Sequence, residues 1–293
     1  MSDPNLRYTF GGDEHLFIEI SEAMSLKAFF RSMSLTKAIK NLALPGIFDI
    51  CLANASCQIR FNPDILPPLT LLEKVQAIAE QENTGEKLST RIIEIPVLYN
   101  DPWTHETLMR FRERHQDPHS TDLEYAARIN SLPDIDAFIA QHSGAPWFVS
   151  MVGFVAGLPF MYQMVEQEQQ IQVPKYLIPR TDTPQLSLGH GGCFGCIYSV
   201  RGAGGYQLFG VTPAPIYDTQ QRLPYLKDSM VFFRTGDIVQ FKPINRDEYD
   251  QAISQVEREE FTLRIRPVEF DLAAFEADPQ SCTANLQEVL YGD

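Results

Sequence analysis

The stretch HSGAPWFVSMVGFVAGLPFMYQMV, residues 142–165, contains no Asp, Glu, Lys or Arg. It constrains the fold more than any other part of the chain. About 20 apolar residues suffice to cross a bilayer. Gly144, Gly153, Gly157, Pro146 and Pro159, however, interrupt any long helix. The nearest charged neighbours are acidic, Asp134, Asp136, Glu166 and Glu168, whereas a spanning helix carries Lys or Arg on its cytoplasmic flank. Fully buried strands also read as continuous apolar runs. The segment therefore predicts two buried strands, WFVSMV and GLPFMYQMV, joined by a glycine-containing turn, and no membrane crossing.

The 293 residues allow one or two domains, and a hydrophobic content of 44% is ample for a core. With 24 basic against 38 acidic residues the net charge is −14. Such a surface repels phosphate backbones, and no basic patch offsets it, so nucleic acid is excluded as a partner. No N-terminal segment reads as a secretory signal, and five cysteines suit reduced thiols better than a disulfide framework. The expectation is a cytoplasmic globular protein.

The order of elements predicts an α+β chain. YTFGGDEHLFIEI gives a hairpin; SLKAFFRSMSLTKAIKNLAL gives a helix capped by Ser25 and stopped by Pro45-Gly46. IFDICLA and ASCQIRF read as strands, and LTLLEKVQAIAEQ as a second helix. This β-β-α-β-β-α order fits a small sandwich over residues 1–82. The polar ENTGEKLS, Glu82–Ser89, reads as a linker. RIIEIPVLY then opens a strand-rich region over 90–250, with short helices at Asp122–Asn130 and Pro133–His142, which predicts a closing barrel or sandwich. Residues 251–293 read as a helical extension.

Several residues invite chemistry. GHGGCFGC, with His190, Gly191, Gly192, Cys193 and Cys196, has a CxxC but no further Cys or His pair to complete a zinc site. It lacks the helix a redox CxxC would open. Its glycines let backbone approach a ligand or turn N–H groups to an anion. RGAGGYQLFG, with Arg201, Gly204, Gly205 and Tyr206, is followed by strand-like sequence, so it is no dinucleotide loop. It is a tight hairpin or a binding loop, and the Arg201 fork could hold a carboxylate or phosphate. A lone histidine is more often structural than catalytic. His142, placed at the mouth of a buried strand, is nevertheless the best general acid/base candidate. His105, His115 and His119 fall in THETLMRFRERHQDPH, which reads as a solvated helix and loop.

Taken in order, YTFGGDEHLFIEI, RIIEIPVLYN, DLEYAARIN, HSGAPWFVSMVGFVAGLPFMYQM, PRTDTP, AGGYQLFGVTPAPIYD and GDIVQFKPI resemble the B-subunit family of 5-oxoprolinase. That family is also described as allophanate hydrolase subunit 1, or carboxyltransferase subdomain C/D. The resemblance covers about residues 8 to 250. It implies a small N-terminal α+β domain followed by a cyclophilin-like β-barrel. His142, Phe154 and Gly157 match the family's histidine and its GF-x-PGF turn, with Ala156 and Leu158 replacing the proline and the final aromatic. Pro184-Gln185 stands in place of the family's PR, and LGHGGCFGC shortens its loop containing QTG.

The implied function is that of a subunit of a heteromeric enzyme. It would either transfer a carboxyl group or open an amide or lactam, acting on a urea-, amide- or lactam-type substrate beside a homologous carboxyltransferase partner of the C type. A biotin carboxylase or other third subunit would complete the complex. No cofactor is implied for this chain alone, since carboxybiotin or ATP would arrive through partners. Arg180 or Arg201, the glycine loops and His142 would serve catalysis and substrate binding. One branch of the family instead inhibits a sporulation histidine kinase, which is the alternative reading.

Overall fold

A computed structural model describes residues 6–80 and 87–292. Most of the expected linker, residues 82–86, lies outside the described residues. The chain divides into two compact units, one running through residue 88 and taking in 271–273, the other comprising 89–270 and 274–293.

In the first unit the order is β1 (Arg7–Gly11), β2 (His15–Glu19), α1 (Leu26–Asn41), β3 (Ile47–Ala53), β4 (Ser56–Phe61) and α2 (Pro68–Ala79). The four strands form a sheet of order β1-β2-β4-β3, antiparallel throughout. Alternation in β2 and β4 sends Leu16, Ile18, Cys57, Ile59 and Phe61 inward, where they share a core with Leu35 and Ile39 of α1 and Leu71 and Val75 of α2. The Ser25 side chain caps α1 by accepting from Ala28 N–H at 3.1 Å.

The second unit begins with β5 (Lys87–Tyr99), α3 (Pro102–Arg110), α4 (Asp122–Ile129) and α5 (Ile135–Gly144). Strands β6 (Trp147–Val152), β7 (Pro159–Gln163), β8 (Arg180–Thr183), β9 (Ser187–Gly191), β10 (Phe194–Ile197), β11 (Gly202–Gly204), β12 (Gln207–Val211) and β13 (Ile238–Pro243) follow. The chain ends with α6 (Arg246–Glu257), β14 (Ile265–Asp271), α7 (Leu272–Ala277) and α8 (Pro279–Tyr291).

Eight of these strands form one sheet of order β12-β9-β10-β7-β6-β13-β5-β14, and β12 pairs again with β5. The sheet thereby closes into a ring. Its pairing is mixed, because β13 runs parallel to β5. β8 and β11 stand apart as a two-stranded ribbon.

The charge-free segment becomes the last turn of α5 followed by the antiparallel pair β6–β7. Trp147, Phe148, Val149 and Met161 are all fully buried, which is why no polar alternation shows in the sequence. Among the described residues no helix is long and apolar enough to cross a membrane. The tail, read as helical, also supplies β14 to the large sheet. Its alternation is weak because only Phe270 in that strand is buried.

Candidate functional site

His142 is not at a pocket mouth. It lies in the last turn of α5 with 0% exposure, its ring 4.7 Å from Trp147, 5.3 Å from Phe241 and 5.6 Å from Phe209. Nδ1 shares a hydrogen bond of 2.9 Å with the Tyr99 hydroxyl, and Nε2 has no partner among the described residues. Trp147 Nε1 donates to the His142 carbonyl at 2.9 Å, tying the end of α5 to β6. Burial pushes the imidazole well below its ordinary pKa, and the neighbouring His190 adds to the shift. The sequence could not show that the helix would carry this residue inward.

His190 on β9 is also fully buried, with its ring 6.1 Å from that of His142. Nε2 lies 3.0 Å from the Gly192 carbonyl and 3.2 Å from that of Ile171, so it carries the proton and donates. Burial lowers this histidine to about 4. Both histidines are therefore neutral core groups at pH 7.

A pH dependence follows. The unfolded chain takes up protons on these histidines as pH falls below about 6.5, while the folded chain resists. Their contribution is complete above 6.5 and declines with acidification, through about pH 4 for His190. We expect the urea midpoint to fall from pH 7 to pH 4, with His190 alone accounting for as much as about 3 kcal/mol. Equal midpoints at pH 7 and pH 4.5 would contradict the burial of both rings.

Two glycines of the glycine-rich turns are required by close packing. A Cβ on Gly191 would sit 2.4 Å from the Tyr206 ring, and one on Gly204 would sit 2.4 Å from the Tyr198 hydroxyl. Gly192, at φ +63°, turns the β9–β10 hairpin. Gly205 approaches Pro179. Tyrosine rings thus fill the space beside Gly191 and Gly204, whereas Gly192 faces open space. Cys193 and Cys196 are free thiols in this hairpin, and burial raises the pKa of both. No group of three or more potential metal ligands occurs among the described residues.

Arg201 is exposed, and its fork is already engaged. Nε and Nη2 donate to the two oxygens of Asp182 at 2.6 and 2.7 Å, and Arg110 donates to the same carboxylate at 2.9 Å. The bond from Arg201, seconded by Arg110, holds the Asp182 carboxyl well below the usual range. Phe154 and Gly157 occupy the β6–β7 turn at φ +70° and +76°. Phe154 is 72% exposed.

Arg180 is the candidate whose surroundings are most unusual. It opens β8 opposite Gly204 of β11 and is fully buried. Its guanidinium lies 4.5 Å from the Tyr176 ring centroid. Tyr176 in turn donates to Asp122 Oδ1 at 2.7 Å, and Leu208 N–H donates to Asp122 Oδ2 at 2.6 Å. His115 Nε2 is 3.4 Å from Asp122 Oδ1, and the His115 ring packs edge-on against Tyr125 and Tyr176. Burial raises the pKa of Asp122, while the two hydrogen bonds and then Arg180 pull it back.

The structure thus brings Arg180, Gly204 and Tyr206 to one place, and His142 and His190 to another. Sequence reasoning missed Asp122, Tyr176 and Tyr198. It also misplaced His115, which is buried rather than solvated. Asp122 carries only the signal of a helix start, Thr121 and Glu124 forming the capping box around it. A groove of about 640 Å³ lined by Asn100, Arg128, Leu132, Asp134 and neighbours includes none of the residues selected from sequence.

Comparison with known proteins adds context to this geometry. Residues 6–227 match the family described as carboxyltransferase domain, subdomain C and D. The B subunit of 5-oxoprolinase from Bacillus subtilis is 31% identical over 177 residues, covering 60% of this chain and 61% of that protein. Urea amidolyase of Lachancea kluyveri is 23% identical over 274 residues, covering 92% of this chain but 15% of that protein. The chain therefore spans less than two thirds of either relative. In fold it resembles the crystal structure of the Kluyveromyces lactis urea amidolyase, with a TM-score of 0.86 at 22% identity over 98% of this chain and 18% of that one. By its match over residues 6–227, this chain belongs to the carboxyltransferase subdomain C and D family.

Proposed function

We propose that this chain is a subunit of a heteromeric carboxyltransferase acting on a small urea- or amide-type substrate, beside a homologous partner of the C type. One observation carries the choice of carboxyl transfer over ATP-dependent lactam opening. The likeness to urea amidolyase spans 92% of the chain, while those to the 5-oxoprolinase B subunits of B. subtilis, Haemophilus influenzae and Escherichia coli span 60%, 76% and 79%. The fold likeness to the K. lactis enzyme extends over 98%.

Carboxybiotin, brought by a biotin-bearing partner, would supply the activated carboxyl group. This chain would contribute positioning of a carboxyl or carbonyl oxygen, a task that suits the two terminal nitrogens of Arg180, which have no hydrogen-bond partner among the described residues. His142 has no acid–base part in this reading, since it is buried among aromatic rings. The acceptor N–H would lose its proton to a base on the partner chain.

The test is reconstitution with a homologous second subunit and a biotin carboxylase, supplied with ATP and bicarbonate. We expect urea or a small amide to be consumed, and consumption to cease when this chain is omitted. Opening of 5-oxoproline with no turnover of urea would move the protein to the lactam branch. The exposed Phe154, held at positive φ, favours a second reading, a regulatory protein that docks a histidine kinase. Kinase inhibition by a chain that binds no homologous subunit would establish that reading instead.

A further inference from the structure

Arg180 is a buried cation whose hydrogen bonds the fold leaves unmade. Nε reaches Thr183 Oγ1 at 3.3 Å, a long contact. Nη1 and Nη2 have no acceptor among the described residues. The Tyr176 and Tyr198 hydroxyls lie beside the fork and interact with it through a hydrogen-bonding influence that is the smallest on each hydroxyl, at a geometry short of a full hydrogen bond to either nitrogen. Asp122 is committed to Tyr176 and Leu208. The Tyr176 ring face offsets part of the cost through its quadrupole. A buried donor left unsatisfied is still costly, the more so when charged.

The unmet atoms are the terminal pair of a planar fork, whose spacing matches two oxygens of one carboxylate. A flat oxyanion would satisfy both at once. Arg180 itself opens the β8–β11 ribbon, whose strands are only four and three residues long, with a register shift between Gly202 and Gly204. A two-stranded ribbon outside a larger sheet has little stability of its own. It is cheap to displace, and it carries Arg180 with it.

We propose that Arg180 is the receptor for a small planar oxyanion, a carboxylate or bicarbonate, which enters when the β8–β11 ribbon, carrying Arg180, moves off the Tyr176–Tyr198 pair. The guanidinium then exchanges its contact with an aromatic face for a bidentate ion pair. That the oxyanion is the carboxyl group in transfer rests on the function proposed above; the binding itself does not.

The full chain with ¹⁵N-labelled arginine is titrated with acetate and, separately, with bicarbonate, with chloride as the ionic-strength control. We expect the Arg180 Nε–H resonance, assigned through its own side-chain and backbone correlations, to shift saturably with both oxyanions and not with chloride. Arg180→Lys keeps the charge but loses the fork, so binding should weaken about tenfold or more. If that variant does not fold, Arg201→Ala decides. Binding that survives it belongs to Arg180, and binding that disappears belongs to the exposed arginine and overturns the proposal. A wild-type resonance that does not move, or moves equally in chloride, also overturns it. A response to acetate alone assigns the site to carboxylates, and a response to bicarbonate alone to carbonate chemistry. Binding without turnover in the reconstituted complex would leave the site standing and remove the enzyme reading; turnover without binding would do the reverse.

Discussion

His142→Ala should lose about 3–5 kcal/mol of stability, read as a fall in the urea midpoint at pH 7. The residue fills space among Trp147, Phe209 and Phe241, and truncation leaves a cavity that rigid aromatic neighbours cannot close. It also strips the buried Tyr99 hydroxyl of its partner. His142→Phe separates the two costs: it restores most of the volume, so the remaining loss should be about 1–3 kcal/mol for the orphaned hydroxyl. Should His142→Ala unfold at the wild-type midpoint, the packing role is wrong and a functional role for this histidine returns.

Gly210→Ala should be at least as damaging, with an expected loss of about 3 kcal/mol or more. Gly210 pairs with Tyr99 where β12 meets β5, the contact that closes the ring. A Cβ there would stand 2.5 Å from the Leu98 carbonyl oxygen and 3.0 Å from Tyr99 Cα. These are backbone atoms, so relief requires parting the two strands. Gly202→Ala is the control. Its Cβ would meet nothing within 4 Å, and the cost should stay within about 0.5 kcal/mol. Similar midpoints for the two variants would show that ring closure does not depend on the close approach at Gly210.

How far the site was legible depends on the kind of signal each residue carries. Ser25 marks the start of α1 because capping acts within a few residues, whereas the helix ends at Asn41, before the expected stop at Pro45-Gly46. Arg201 reads as a free anion-binding fork because nothing in the sequence says that Asp182, on the paired strand, will occupy it. GHGGCFGC reads as a ligand loop for a similar reason. Gly189 and Gly191 answer to Tyr198 and Tyr206, which come against them only after β9, β10 and β12 align.

By itself the sequence determined the alternation that buries one face of β2 and β4, the unbroken apolar runs of β6 and β7, and the exclusion of a long spanning helix by interspersed glycine and proline. These follow from side-chain periodicity and local backbone preference, which are properties of neighbours along the chain. Only the tertiary structure decided that the sheet closes through β12 and β5, that His142 and His190 share the ring's interior, and that Asp122 and Tyr176 flank Arg180 while two of its nitrogens go unpaired. Those outcomes depend on which remote groups meet after water is removed, and burial of a charge or an imidazole acquires its energetic meaning only then.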